Sequence, residues 1–219
     1  MDPIPTGFPA LDAALGTGGY PRGRMVEIFG PDGCGKTALA LGAVAEVQRR
    51  GGTAAFIDAD HALSAEAAAR RGVDAALLAV ARPESGEQAL AIASALAASG
   101  SVDLIVVDSV AALVPRLELE AGIGDLSRLQ ARLLAEGLRR LAPRAARSGA
   151  CLLFVNQLRE RKVTVGDPET TAGGSALKLH AAVRLELRAV RAAGTLRVRA
   201  RVVKNSLAPA FRAAELEIV

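Results

Sequence analysis

The sequence predicts an α/β fold, a mostly parallel central sheet covered by helices, with antiparallel strands added at its C-terminal end. Three observations predict it. Strand-like and helix-like segments alternate from residue 24 to residue 156, the rhythm of a parallel sheet with crossover helices. A glycine-rich string, Gly30-Pro31-Asp32-Gly33-Cys34-Gly35-Lys36-Thr37, stands between the first of those strands and the first long helix. From residue 183 onward three strand-like runs follow one another with only short breaks, as in consecutive antiparallel strands.

Taken in order, residues 1–23 are rich in Gly and Pro and read as an irregular lead-in around a short helix near 11–15. Residues 24–29 form a strand, and 36–50 a helix that stops at Gly51-Gly52, a C-terminal glycine signal. Residues 53–58 are the next strand, followed by an Ala-rich helix ending at Arg71, a short strand at 77–80 and a helix at 86–98. The run 102–108 is apolar almost to its final Asp, as expected of a strand buried on both faces. A long helix at 126–147 precedes a buried strand at 151–156, and strands at 183–190, 196–203 and 211–219 complete the set. No internal repeat or low-complexity linker interrupts the order, so residues 1–219 read as a single domain.

Composition sets limits on function. With 219 residues, 51% of them apolar, the chain can bury a full core. Aromatic residues are only 3%, so that core is aliphatic and base-stacking platforms are scarce. Cys34 and Cys151 stand far apart and make no disulfide framework, which points to a reducing, cytoplasmic setting. No apolar run reaches membrane-spanning length, and the first residues lack the pattern of a signal peptide. The net charge of +4 leaves polyanions open as partners, but a charge of that size does not by itself indicate DNA. Arg197, Arg199 and Arg201 alternate along one predicted strand and therefore share a face; they read either as a polyanion-binding stripe or as solvated outward positions.

The glycine-rich string satisfies G-x-x-x-x-G-K-[ST] in full. Glycines let the backbone of Gly30-Pro31-Asp32-Gly33-Cys34-Gly35 curl so that its N–H groups, which Pro31 lacks, surround phosphate oxygens, and the following helix adds its positive end. Lys36 is the residue to reach the β- and γ-phosphates of ATP, and the Thr37 hydroxyl the one to ligate Mg²⁺. Asp108 closes a buried strand, at the sheet edge where ligands bind in open α/β folds; it is the second candidate ligand for the metal, although a strand-end Asp also serves as a helix cap.

Further strings give the chain a family likeness. Phe56-Ile57-Asp58-Ala59-Asp60-His61-Ala62-Leu63, Gly86-Glu87-Gln88-Ala89-Leu90, Val107-Asp108-Ser109-Val110-Ala111-Ala112-Leu113, Ile123-Gly124-Asp125, Phe154-Val155-Asn156-Gln157-Leu158-Arg159, the run 166–174 and Val202-Val203-Lys204-Asn205 occur in that order. Together with the phosphate loop they resemble the core of the bacterial RecA recombinase family over essentially the whole chain. The resemblance implies a RecA-like P-loop NTPase core with Asp60 as general base for the attacking water and Asp108 on magnesium. It also implies Gln157 as the sensor between γ-phosphate and DNA loops, and Lys204 as a lysine reaching a neighbouring subunit's nucleotide. Single-stranded DNA would then be contacted through residues 118–128 and 159–174.

Several positions depart from the family pattern. Asp60 stands where Glu is usual, Ala67 and Ser64 where a tyrosine and an aspartate contact the base, Ser206 where a second inter-subunit lysine is typical, and Val165 where an aromatic is common. The family's N-terminal polymerisation element and C-terminal domain have no counterpart in these residues. Three readings follow. The first is a RecA-like paralogue, of the kind that ImuA-type proteins represent, regulating a recombinase or translesion mutagenesis in DNA repair through protein contacts. The second is an active single-stranded-DNA-dependent ATPase promoting homologous recombination and strand exchange. A switch or motor outside DNA repair is the third, and the family string at 168–174 argues against it.

Overall fold

The computed structural model describes residues 1–121, 126–160, 169–190 and 196–218. Helix α1 (Pro9–Leu15) ends on Gly16 in a left-handed conformation. Then come β1 (Met25–Gly30), α2 (Lys36–Arg49), β2 (Ala54–Asp58), α3 (Ala65–Arg70), β3 (Leu78–Ala81), α4 (Gly86–Ser99) and β4 (Leu104–Asp108). The second half holds α5 (Arg116–Ala121), α6 (Leu126–Ser148), β5 (Cys151–Glu160), β6 (Glu169–Thr171), α7 (Ala176–His180), β7 (Val183–Val190), β8 (Leu196–Asn205) and β9 (Ala213–Ile218).

The strands lie in the order β3-β2-β4-β5-β1-β7-β8-β9, with β6 paired to β5. All neighbours from β3 to β7 run parallel, whereas β8 and β9 continue the sheet antiparallel. The predicted class therefore stands, with β7 as the joint: parallel to β1 on one side and antiparallel to β8 on the other.

Period-two alternation explains the layers. Val26, Ile28, Phe56, Leu104 and Val106 point to a core shared with α1, α2 and α3. Met25, Ala55, Ile57, Ile105 and Val107 point to a second core under α4, α6 and α7. A strand that must be apolar on both faces reads as an unbroken apolar run, which is why β4 was conspicuous in sequence.

The structure corrects the sequence reading around β5. The strand was expected to stop at Asn156, where the apolar run stops, and to give way to a flexible loop. Instead it continues to Glu160 and pairs antiparallel with β6 through Leu158–Thr171, Arg159–Thr170 and Glu160–Glu169. Backbone pairing carries that extension without an apolar face. Ile123-Gly124-Asp125, Val165 and residues 166–168 lie outside the described residues, as do the central parts of the two expected DNA segments.

Candidate nucleotide site

Strands β1, β4 and β5 and the loop after β2 open onto a cleft of about 630 Å³. Its lining includes Asp32, Gly33, Gly35, Lys36, Thr37, Asp60, Asp108 and Gln157. Every predicted site residue of the phosphate turn, together with Asp60, Asp108 and Gln157, thus belongs to one end of the sheet. Lys204 is elsewhere: its ammonium donates to the carbonyls of Lys178 and Leu179 at the end of α7. Within one chain it does not join the cleft.

The turn has the conformation its glycines permit. Gly33 and Gly35 have φ of 72° and 83°, values costly for residues with a Cβ. At Gly30 the constraint is space instead, since a Cβ there would meet the Leu187 carbonyl oxygen at 2.3 Å and Cys34 Sγ at 2.8 Å. Helix α2 begins directly after Gly35 with no side-chain cap, so its first N–H groups are available to an anion. Lys36 is folded back, donating to the carbonyls of Gly30 and Pro31 at 3.0 and 2.6 Å. Those contacts hold its charge inside the turn. Burial pushes the Cys34 thiol up, with the Lys36 ammonium pulling the other way.

Opposite the turn, Thr37 Oγ1 donates to Asp108 Oδ2 at 2.6 Å. Burial drives the Asp108 carboxyl up to about 6, the Thr37 hydrogen bond opposing and the Asp60 charge reinforcing the shift. The hydroxyl and carboxylate form a hard-oxygen pair of the kind magnesium takes, completed by phosphate and water. Among the described residues there is no cluster of three or more His, Cys, Asp or Glu able to hold a metal alone; a two-oxygen protein site shared with a phosphate fits that finding.

Asp60 reaches the site through a fixed loop. The Asp108 carbonyl accepts from the N–H groups of Ala59 and Asp60, and Ser109 Oγ donates to Asp60 Oδ1 at 3.2 Å. Asp58, which sequence reading passed over, anchors the same loop. It pairs in register with Asp108, and its carboxylate accepts from the N–H groups of Ala62 and Leu63 and from Arg82 Nε. The signal was present in the Asp58-Ala59-Asp60 string, where the first acid ends the strand and the second begins the loop. Of the positions that depart from the family pattern, Ser64 caps α3 by accepting from the Ala67 N–H, and Ala67 lines the cleft with Arg70 and Arg71. At the far wall, Ile218 of β9 packs so closely that a Cβ on Gly35 would meet its Cδ1 at 2.4 Å.

The alternating arginines, read as either a polyanion-binding stripe or solvated outward positions, have acidic neighbours. Arg197 pairs with Glu217, Arg199 lies opposite Glu215, and Arg201 lies opposite Glu186.

A glycine turn feeding a helix, with a lysine inside it and an acid on the adjacent strand end, defines the class: a P-loop nucleotide-binding α/β protein. The RecA N-terminal domain family model matches residues 1–219. The chain is 56% identical to Protein RecA of Thermus thermophilus over its whole length, covering 67% of that relative. It is 54% identical to Protein RecA of Frankia casuarinae, covering 65%, and 51% identical to Protein RecA of an Arthrobacter strain, also covering 65%. The chain belongs to the RecA family, and it spans about two thirds of the length of these relatives. The expectation of a diverged regulatory paralogue finds no support here: the relatives matched over the whole chain are named Protein RecA. No helix among the described residues is long and apolar enough to cross a membrane.

Proposed function

We propose that this chain is the ATP-binding and ATP-hydrolysing core of a DNA recombination and repair protein, acting as a single-stranded-DNA-dependent ATPase that promotes strand exchange. The observation that carries the reading is the convergence of Lys36, Thr37, Asp60, Asp108 and Gln157 on one cleft in a chain related along its full length to proteins named RecA. The regulatory reading, which would require a recombinase or translesion partner, has no observation of its own to favour it.

In this reading the turn amides and Lys36 hold the β- and γ-phosphates, and Lys36 exchanges its carbonyl contacts for phosphate oxygens. Thr37 and Asp108 hold Mg²⁺, which neutralises phosphate charge when bound. Ser109 fixes one oxygen of Asp60, leaving the other to orient water and take its proton. Gln157, on the cleft floor and at the start of the β5 extension, relates the phosphate end of the site to residues 159–174, which with 118–128 supply the DNA contacts. Lys204 serves a neighbouring copy's nucleotide.

The test is phosphate release measured with and without single-stranded DNA at low salt. Stimulation by DNA, and loss of activity by on the order of 100-fold or more in Lys36→Ala, are the expected results. Absence of any DNA stimulation in the wild-type chain would remove the DNA-dependent reading.

A further inference from the structure

Away from the phosphate turn the cleft has a second end with a different chemistry. Helix α2 serves as the ruler. Thr37 lies in its first turn, and Leu41, which also lines the cleft, follows one turn later, a rise of about 6 Å. Helix α3 faces that stretch. Ala67, Arg70 and Arg71 complete the lining there, and a Cβ on Gly72 would lie 4.0 Å from the Cβ of Ala45. Asp60, Asp108 and Gln157 line the cleft as well, on the side where the reading above puts the terminal phosphate. A nucleotide with its phosphates on residues 33–37 therefore lays its base against α3.

Hydrogen bonding at that end is one-sided. No aromatic ring lines the cleft among the described residues, and the Ser64 oxygen is engaged as the cap of α3. Arg70 is exposed and paired with Glu66 at 2.7 Å. Arg71 is partly buried and makes no hydrogen bond or ion pair with a described residue. Burial first, and the Arg70 charge second, pull its guanidinium below the ordinary arginine value, as befits a cation without a counter-group.

A guanidinium is a planar fork of donors with no acceptor, so a base that satisfies it must present two adjacent acceptors. Guanine does so through O6 and N7, whereas adenine sets its N6 amine, a donor, beside N7. We infer that Arg71 is a specificity-determining residue whose guanidinium takes the O6/N7 edge of guanine, so that the cleft binds guanine nucleotides at least as well as adenine nucleotides. The inference rests on the nucleotide-binding reading above and concerns the base alone. Adenine stays admissible. Strong rejection of either base would need a side-chain acceptor built for N6 and left unpaired by guanine, and the described residues of α3 supply none.

The test titrates wild type, R71A and R71K calorimetrically with ADP, GDP and IDP in the presence of Mg²⁺. Diphosphates avoid turnover during the measurement, and the hypoxanthine of IDP keeps O6 and N7 while lacking the 2-amino group of guanine. Wild type is expected to bind GDP and IDP as tightly as ADP or tighter, within a margin of about threefold. In R71A the affinity for GDP and IDP is expected to fall about tenfold, and that for ADP by less than about threefold. R71K keeps the charge but not the fork, and is expected to behave as R71A does. Melting temperatures report that both variants are folded; should R71A not be, R71K carries the same comparison. The inference is overturned if wild type binds ADP more than about threefold tighter than GDP. It is equally overturned if R71A weakens all three nucleotides alike, or if R71K retains wild-type affinity for GDP, since Arg71 would then act as a charge and not as a reader of the base. Failure of wild type to bind any of the three would instead overturn the nucleotide reading itself.

Discussion

Asp108 is the residue at which stability and function pull apart. Its carboxyl, raised from the ordinary value to about 6 by burial, contributes most to folding when protonated. That contribution is fully present below pH 4 and is lost as pH rises through about 6. At neutral pH the apo protein therefore carries a buried charge whose cost is on the order of 2–3 kcal/mol. Asp108→Asn keeps the acceptor for Thr37 and removes the charge, so it is expected to raise the melting temperature of the apo protein at pH 7.5 while weakening Mg²⁺-dependent nucleotide binding. Calorimetry at pH 5 and 7.5 checks the first half: the gain should shrink at the lower pH. Asp60, in its proposed role as general base, makes the opposite case: a carboxylate one methylene shorter than the family's usual Glu. Asp60→Glu extends the carboxylate by roughly 1 Å and is expected to raise the turnover number about tenfold or more with little change in KM. These two acids were legible because each ends or follows a strand in a recognisable string. Asp58 was legible only in position: its string shows an acid ending a strand, but not that the carboxylate holds the N–H groups of Ala62 and Leu63 and pairs with Arg82. Asn156 was quoted only as part of a string, and its hydrogen-bond partners Glu27 and Ala172 are distant in the chain, so nothing local disclosed those contacts.

At the level of elements, most strands and helices were readable because their burial imposes a period: unbroken for β4, alternating for β8, helical for α6. What escaped were β6, α5 and α7, short pieces whose pairing or docking depends on tertiary position and not on pattern. The extension of β5 escaped for the same reason. Helix α6 contains an internal fault that sequence alone shows, Pro143 inside a 23-residue helix. Proline there removes a backbone donor to the Arg139 carbonyl and crowds it. Because Pro143 is exposed, Pro143→Ala is expected to stabilise the chain by about 1–3 kcal/mol in urea unfolding with an unchanged m-value. In the phosphate turn the reverse holds. Gly35→Ala combines a left-handed backbone with a collision against Ile218, and nucleotide affinity should drop about tenfold or more. Adding Ile218→Ala should recover only the part of that loss owed to the collision.

Considered as a whole, the molecule commits several of its arginines to acidic neighbours. Arg184, Arg188 and Arg197 each engage a glutamate, so these guanidiniums are less available to phosphate, while the net charge of +4 already counts their partners. The salt dependence of single-strand binding separates the candidates. Arg159→Ala, at an exposed position lining a cavity with Lys178 and Thr170, is expected to make the slope of log K against log salt shallower by about 0.7. The triple change R197A/R199A/R201A is expected to leave the slope nearly unaltered. Chain order adds a last consequence. The turn at 30–37 emerges from a ribosome well before β9, yet Ile218 of β9 forms the wall that presses on Gly35. With synthesis running at about 5–20 residues per second, on the order of ten seconds separate release of the turn from release of that wall. If the cleft takes a triphosphate as proposed, its full enclosure waits on the last strand of the sheet.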